Sequence, residues 1–262
     1  MVWSGLRVID FYYFSGTGNT FMVVSEMKRV FERYGFKVNL FRIEKADPCR
    51  IKLTHMIGLG FPVALQGTYP FVWRFIHSLP RANGTPIFMV DTLSLFSGGV
   101  VGSIRRILKA KGYHTVGAGE IRMPMIFPTS QPAEKNTWII HRGLEEARIY
   151  AEKIINGDAE WRGTPILSDF MAALSQCESA WRILRKLYPL RIDRSRCSRC
   201  GLCIELCPTN NIRMDKYPVL GDKCYLCMRC IAFCPERAIS IPKMKRQANS
   251  KIEPAEILNV RD

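Results

Sequence analysis

Eight of the ten cysteines in this 262-residue chain lie near its C-terminus, in two runs of identical spacing. Both runs follow the pattern C-x2-C-x2-C-x3-C-P. Their cysteines are Cys197, Cys200, Cys203 and Cys207 in the first, and Cys224, Cys227, Cys230 and Cys234 in the second. Three cysteines at this spacing wrap a tight loop around a [4Fe–4S] cube, which needs one thiolate on each iron. The spacing therefore predicts two [4Fe–4S] clusters, which carry single electrons.

Zinc and disulfide bonds are the alternatives for so many cysteines. Structural zinc usually takes paired C-x2-C units separated by a spacer, and disulfides persist in oxidising compartments. The N-terminus lacks the basic start and the small-residue cleavage site of an export signal, so we expect a cytoplasmic, reduced protein. Clusters are therefore favoured over both alternatives. Cys49 and Cys177 fit no pattern and are expected to be ordinary thiols.

A second chemical signal follows the apolar run Leu6–Phe14. It is a short loop of Ser15, Gly16, Thr17, Gly18, Asn19 and Thr20, leading directly into a helical pattern. Glycines let a backbone close around a phosphate, and hydroxyls and helix N-terminal N–H groups donate hydrogen bonds to it. The absence of Lys and Arg separates this loop from the Walker P-loop. The loop predicts a phosphate-monoester site, with an unliganded turn as the alternative.

The first 157 residues alternate strand and helix signals. The strand candidates are Leu6–Phe14, Val38–Ile43, Met56–Phe61, Pro86–Asp91 and Thr115–Ile121. Helical patterns lie between them, and the last one ends at Asn156-Gly157. Five strands interleaved with helices predict an α/β fold with a doubly wound parallel sheet, covered on both faces. Ligands of such sheets bind at the carboxyl ends of the strands, at the switch point.

The chain resembles the fused flavodoxin–ferredoxin proteins found in many anaerobic bacteria and archaea. The matching stretches are Phe14-Ser15-Gly16-Thr17-Gly18-Asn19-Thr20, Gly60-Phe61-Pro62-Val63 and Cys207-Pro208-Thr209-Asn210-Asn211-Ile212. The resemblance implies FMN as the phosphate ligand. It also implies crossed cysteine ligation, because the fourth cysteine of each run ligates the other cluster in two-cluster ferredoxins. One cluster would take Cys197, Cys200, Cys203 and Cys234, and the other Cys224, Cys227, Cys230 and Cys207.

Flavodoxins hold the flavin ring between the loops that follow strands three and four, which are here Gly60–Tyr69 and Thr92–Gly99. The ring contacts implied by the resemblance are Phe61, Pro62, Thr92, Phe96, Ser97, Gly98 and Gly99. An aromatic side chain usually stacks on the ring. Phe96 is the first candidate and Tyr69 the second. The first loop has no Trp, so one face of the ring is expected to be open.

We predict four segments: a flavodoxin-like domain at 1–157, a helical linker at 158–189, a small α+β ferredoxin-like domain at 190–242, and a tail at 243–262. The linker pattern predicts one amphipathic helix over Ile166–Leu187. This helix is expected to dock the two domains together. A helix that binds a partner or a membrane surface is the alternative.

The formal net charge is +15, and it stays near about +9 after roughly −4 for two oxidised clusters and −2 for a flavin phosphate. A basic surface suits an acidic redox-protein partner. No nucleic-acid reading motif is present, so nucleic acid is not an expected partner. No apolar stretch is long enough to cross a bilayer. A homodimer that brings one chain's cluster to another chain's flavin also fits the sequence.

These features predict an electron-transfer protein that links FMN, two clusters and an external redox partner. The alternative is an FMN-dependent reductase of a small-molecule acceptor, supplied with electrons by its own ferredoxin part. The sequence leaves open whether the chain is an enzyme. No catalytic triad or H-E-x-x-H motif is present. The four histidines, expected to be structural or on the surface, are His55, His77, His114 and His141.

Overall fold

The computed structural model describes residues 3, 5–96, 99–127, 133–161, 167–244 and 252–258. The first half contains a sheet of five strands, which are β1 (Val8–Tyr13), β2 (Lys37–Arg42), β3 (Met56–Pro62), β4 (Pro86–Leu93) and β5 (His114–Arg122). Their order is β2-β1-β3-β4-β5, and all neighbours are parallel. This is the flavodoxin-like strand order of a doubly wound sheet. It confirms the predicted fold class, and each predicted strand ends within two residues of the observed one.

Helices cover both faces of the sheet, which explains the almost continuous apolar character of its strands. They are α1 (Asn19–Arg33), α2 (Pro70–Ser78), α3 (Val100–Ala110) and α4 (Ala133–Asn156). Side chains alternate along β4, so that Ile87 and Met89 lie in the core with α2 and α3, while Phe88 and Val90 lie in the core with α1 and α4. The rigid sheet therefore holds the loops at its carboxyl edge in fixed positions.

The amino edge of the sheet, opposite those loops, contains a small polar cluster. Asp10 is buried, accepts a hydrogen bond from Asn39, and lies 2.9 Å from Nδ1 of His55. The sequence did not reveal this acidic neighbour of a histidine, because the two residues are far apart along the chain. No nucleophile accompanies the pair among the described contacts, which suits the structural role expected of this histidine.

The linker differs from its prediction. The single helix predicted over Ile166–Leu187 is wrong, because the structure has α5 (Leu167–Gln176) and α6 (Glu178–Leu187), and Ile166 lies outside the described residues. Cys177 between them has an extended backbone. Trp181 accounts for the bend, since its indole N–H donates to the Ser175 carbonyl at 2.8 Å while its ring is buried. The turn lets both short helices pack against the first half.

The cysteine-rich part is built from short elements, namely β6 (Arg191–Ile192), α7 (Leu202–Glu205), β7 (Ile212–Met214), β8 (Pro218–Leu220), α8 (Arg229–Ala232), β9 (Ile239–Ser240) and, beyond it, α9 (Pro254–Leu258). β6 pairs with β9 and β7 pairs with β8, both antiparallel. Each cysteine run enters its helix through a left-handed residue, Gly201 (φ 80°) or Met228 (φ 63°). Short helices and two antiparallel strand pairs confirm the predicted small α+β unit. No described helix is long and apolar enough to span a membrane.

Candidate functional site

A cavity of about 450 Å³ lies at the carboxyl edge of the sheet, beside the switch point between β1 and β3. Its volume falls within the roughly 300–1,000 Å³ typical of ligand sites. The walls come from the loops after β1, β3, β4 and β5, together with part of the second cysteine run. The predicted FMN contacts that line it are Ser15, Gly16, Thr17, Asn19, Thr20, Pro62, Tyr69, Thr92 and Phe96.

The loop between β1 and α1 offers unpaired hydrogen-bond donors to this cavity. The hydroxyl of Thr17 is buried and has no partner. Within the described part of the chain, the backbone N–H groups of Thr17 and Thr20 also make no hydrogen bond. Ser15 shapes the loop, since its hydroxyl accepts from the N–H groups of Gly18 and Phe21, both at 3.2 Å. A helix N-terminus with free donors fits an anionic phosphate.

Three hydrogen bonds attach this phosphate loop and its flank to the ends of neighbouring strands and to the loop after β5. The hydroxyls of Thr20 and Thr92 lie 2.8 Å apart, and Asn19 donates its side-chain amide to the Pro124 carbonyl at 3.1 Å. The third bond runs from the Phe14 N–H, just before the loop, to the Gly60 carbonyl at 2.8 Å. The phosphate loop is thus fixed against the carboxyl ends of β3 and β4 and against the loop after β5.

The loop after β3 carries two consecutive left-handed residues at the cavity. Leu65 (φ 49°) and Gln66 (φ 62°) are both left-handed, in a tight turn closed by Ala64 and Gly67. Non-glycine residues in this region cost of order 1–3 kcal/mol each, and they persist where the surroundings hold them. The Gln66 carbonyl accepts from the Gly99 N–H at 3.0 Å, which joins the two predicted ring loops. The sequence did not single out this turn, because neither residue favours positive φ.

Other predicted FMN contacts take supporting positions or lie outside the described structure. Phe61 is fully buried in the core and is not among the cavity-lining residues. Gly18 (φ 104°) also does not line the cavity, but its left-handed backbone begins α1. Gly99 supports the Gln66 turn. The predicted contacts Ser97 and Gly98 lie outside the described residues.

The two aromatic candidates for ring stacking differ in their surroundings. Phe96 is 56% exposed at the mouth of the cavity. Tyr69 is buried, and its ring is stacked on Phe71 at 5.6 Å between centroids. Burial raises the pKa of Tyr69, so this phenol stays neutral. The first loop therefore presents Leu65 and Gln66 at its tip, rather than an aromatic ring.

Two walls of the cavity lie outside the contacts predicted from the sequence. One is the loop after β5, from Met123 to Phe127. The other comes from the second half of the chain and includes Trp181, Leu184, Leu226 and Met228. Neither wall has a local motif, and the second becomes visible only when the two halves pack together.

The eight cysteines of the two runs gather around two further cavities, in crossed groups. Four line a cavity of about 30 Å³ and are here called the inner group: Cys207, Cys224, Cys227 and Cys230. Four line a cavity of about 20 Å³ and are called the outer group: Cys197, Cys200, Cys203 and Cys234. The fourth cysteine of each run thus lies with the other run, as in the predicted pairing. Equivalent backbone N–H groups, those of Asn211 and Ala238, each donate to the crossing thiol at 3.2 Å.

Each group offers four thiols, which is one for each iron of a [4Fe–4S] cube. In the described ranges, no three His, Cys, Asp or Glu side chains are placed to hold one metal ion. A cube with one thiolate per iron needs ligands that stand further apart. The residues present therefore fit the group implied by their spacing.

The thiols lie in surroundings that disfavour their charged form. Burial raises the pKa of Cys227 to about 12. Burial first, and then the neighbouring cysteines of the same group, raise the pKa of Cys203 to about 11. Iron ligation requires thiolates, so the positive charge of the metal must provide the stabilisation of the thiolate form that the protein surroundings do not provide. Metal binding at these groups is expected to release protons.

Arg229, in the second cysteine run, connects the cysteine-rich part to the phosphate loop. Its buried guanidinium donates from Nε and Nη2 to the Ser15 carbonyl at 2.9 and 2.7 Å. Nη1 donates to Glu44 at 2.6 Å, and the group lies 4.6 Å from the centre of the Phe14 ring. Glu44 neutralises this charge, so the phosphate loop still presents neutral dipoles. At Gly16, any Cβ would collide with the Cys227 carbonyl oxygen.

The linker helix α6 packs into the same junction. Trp181 lies 5.5 Å from the rings of both Tyr69 and Tyr225. Arg185 donates to the Cys224 carbonyl at 3.1 Å, and Tyr225 donates to Glu178 at 2.8 Å. These contacts favour the docking interpretation of the linker, because α6 touches the first half and the second cysteine run together.

Comparison with known proteins adds one family match. Residues 190–213 match the model of the 4Fe-4S binding domain. The chain joins a flavodoxin-like fold to a 4Fe-4S ferredoxin motif. The matched range contains the first cysteine run and ends before the second. The comparison with curated proteins found no match to this chain.

Solved structures similar to the flavodoxin-like part include three flavodoxins. The flavodoxin of Streptococcus pneumonia TIGR4 is 17% identical, with 56% of this chain and 99% of that chain covered and a TM-score of 0.42. Flavodoxin 2 of Bacillus cereus is 18% identical, with 56% and 97% covered and a TM-score of 0.44. The two-electron reduced flavodoxin of Megasphaera elsdenii is 19% identical, with 53% and 98% covered and a TM-score of 0.39.

Proposed function

We propose that this protein transfers electrons between FMN in the 450 Å³ cavity, two [4Fe–4S] clusters at the inner and outer groups, and an external redox protein. One observation carries the proposal: the FMN cavity and the cavity of the inner group share a wall. Leu226, Cys227 and Met228 line both. A flavin and a cluster in these positions would be separated by little more than this wall.

The FMN assignment rests on the phosphate loop. Thr17 offers a buried, unpaired hydroxyl, and the helix N-terminus offers free N–H groups. The Ser15 hydroxyl and the Arg229 guanidinium stabilise the loop through hydrogen bonds to its backbone, on the side away from the cavity. The bound flavin would supply the ability to take two electrons and give them up singly. The protein's part is to fix its phosphate, to enclose its ring between the loops after β3 and β4, and to keep the inner group against that enclosure.

The test is the cofactor content of protein purified without oxygen. We expect about eight irons and one FMN per chain, from two cubes and one flavin. The visible spectrum should show a broad cluster band that bleaches on reduction with dithionite. Zinc without flavin would overturn the proposal, and iron without flavin would leave a ferredoxin whose first half binds another ligand.

A second candidate, a flavin-dependent reductase of a small molecule, is favoured by the open mouth of the cavity. Leu95 is 67% and Phe96 56% exposed there, and the tip of the first loop is not aromatic. A substrate would therefore have access to one face of a bound ring. Steady turnover of quinones, enones, nitro compounds or disulfides, faster than with free FMN, would identify a reductase. A carrier would instead exchange electrons with a second redox protein alone.

A further inference from the structure

The two cysteine groups occupy different positions relative to the cavity of the sheet. The inner group shares three wall residues with that cavity, and the outer group shares none. The described contacts that fix the cysteine-rich part to the phosphate loop and to α6 are made by the second run, through Tyr225, Cys227 and Arg229. The outer group therefore lies on the far side, and its Cys200 is exposed.

Five exposed basic side chains lie in the two segments next to the outer group, the turn at 193–199 and the β7–β8 hairpin that supplies Pro218. They are Arg194, Arg196, Arg199, Arg213 and Lys216, here called the arginine rim. Arg194 and Arg199 lie 5.7 and 5.9 Å from the ring centre of Tyr217, which directly precedes Pro218 in the wall of the outer cavity. Tyr217 thus holds two guanidinium groups beside the opening.

The charge of this face is positive even when its acids are counted. The stretches 193–199 and 213–217 contain the five basic residues of the rim and two acids, Asp193 and Asp215, which gives a net +3. The exposed acid Glu236 also lines the outer cavity, and the exposed Arg237 beside it leaves this net charge unchanged. Asp193 accepts hydrogen bonds from the N–H and the hydroxyl of Ser195, so its carboxylate stabilises the local turn. Positive potential around an exposed redox group attracts an acidic partner and orients it during encounter.

We infer that the arginine rim is the docking face for an acidic, one-electron redox protein, and that the outer group holds the cluster that meets it. This inference rests on the proposed function. In either direction, one electron crosses the interface: the centre that gives it is oxidised by one electron and the centre that receives it is reduced by one. No bond forms or breaks. The inner group then connects the outer cluster to the flavin cavity.

The experiment measures binding of a plant-type [2Fe–2S] ferredoxin of strongly negative net charge to the holoprotein, by anaerobic calorimetry at low and high salt. The rim variant is Arg194→Glu with Arg199→Glu. The matched control is Arg33→Glu with Arg81→Glu, two exposed arginines at the amino edge of the sheet, which changes the net charge equally. We expect the rim variant to weaken binding at low salt by about tenfold or more, and the control by less than about threefold.

A milder variant, Arg194→Gln with Arg199→Gln, keeps the test valid if charge reversal disturbs the fold. Equal losses in rim and control variants, or no binding by the wild-type protein, would overturn the docking face. Iron and FMN are measured in the same preparations. Low contents in the wild-type protein would count against the proposed function, whereas full contents with unaltered binding by the rim variants would count against the docking face alone.

Discussion

The unpaired hydroxyl of Thr17 gives the phosphate loop its sharpest test. A buried polar atom without a partner costs about 1–3 kcal/mol, and a hydrogen bond to a charged group contributes about 1.5–3 kcal/mol. We expect Thr17→Val, which keeps the shape and removes the hydroxyl, to weaken FMN binding by about tenfold or more without lowering the stability of the FMN-free protein. Quenching of flavin fluorescence during titration measures the affinity.

Thr85 provides the matched control at the other edge of the sheet. Its buried hydroxyl donates to the Leu53 carbonyl at 2.8 Å. Thr85→Val leaves that carbonyl without this donor, so it should lower stability and leave FMN affinity unchanged. If Thr17→Val bound FMN as tightly as the wild-type protein, the phosphate would not be at this loop.

Asp91, near the end of β4, gives a prediction about pH. It is fully buried, and neither carboxyl oxygen has a hydrogen-bond partner in the described structure. Burial, and then the charge of Glu120, raise its pKa well above the usual value. The folded protein therefore keeps a proton that the unfolded chain releases, so stability falls as pH rises from the ordinary aspartate pKa towards the raised one.

We expect Asp91→Asn, which cannot ionise, to lose less stability than the wild-type protein between about pH 5 and about pH 8. Urea unfolding at several pH values measures the difference, and all other titrating groups are common to both proteins. An identical pH dependence of the two proteins would show that Asp91 is already ionised in the fold.

At the scale of elements, α6 holds the two halves of the molecule together. Trp181 is 2% exposed and contacts a ring from each half, Tyr69 and Tyr225. Truncation of a buried Trp to Ala typically costs 3–5 kcal/mol. We expect Trp181→Ala to destabilise the protein by about this amount and to weaken FMN binding, since this side chain also lines the cavity. Circular dichroism during urea unfolding measures the first effect.

Trp138 on α4 serves as the control, because 63% of it is exposed. Trp138→Ala should change stability by no more than about 0.5 kcal/mol. Wild-type stability and FMN affinity in Trp181→Ala would mean that α6 does not hold the junction.

The sequence was informative where structure depends on neighbours along the chain. The strands and the phosphate loop follow from local apolar runs and turn chemistry. The break at Cys177 does not, because Trp181 finds its aromatic partners in two other parts of the fold. The same holds for Arg229, which bonds to Ser15 across 214 positions. Local patterns also gave no reason to expect Leu65 in a left-handed turn.

At the scale of the whole molecule, crossed ligation predicts which cysteines share a cluster. Proximity along the sequence alone would predict the opposite pairing for the fourth cysteine of each run. Cys234 belongs to the second run but lines the outer cavity, whereas Cys207 belongs to the first run and lines the inner one. We expect Cys234→Ser and Cys200→Ser to alter the same paramagnetic signal of the reduced protein. Cys207→Ser and Cys227→Ser should alter the other.

Cys49→Ser and Cys177→Ser are the controls, since both thiols are exposed and lie outside the two groups. Both should keep the full iron content and both signals. If Cys234→Ser altered the same signal as Cys227→Ser, each run would ligate its own cluster and the crossed assignment would be wrong.

The contact of Gly16 with the Cys227 carbonyl also imposes an order in time. At about 5–20 residues per second, the ribosome makes Cys227 roughly 10–40 s after Gly16, and N-terminal domains generally fold first. The sheet is therefore ready before the last wall of its cavity exists, and that wall is itself an iron-binding loop. We expect cells starved of iron to yield protein that has lost FMN in proportion to its missing iron, as measured by the flavin-to-iron ratio across preparations. Full flavin occupancy in iron-free protein would show that this wall forms without iron. If flavin content does follow iron content, the flavin content of a preparation indicates how much iron the protein has bound.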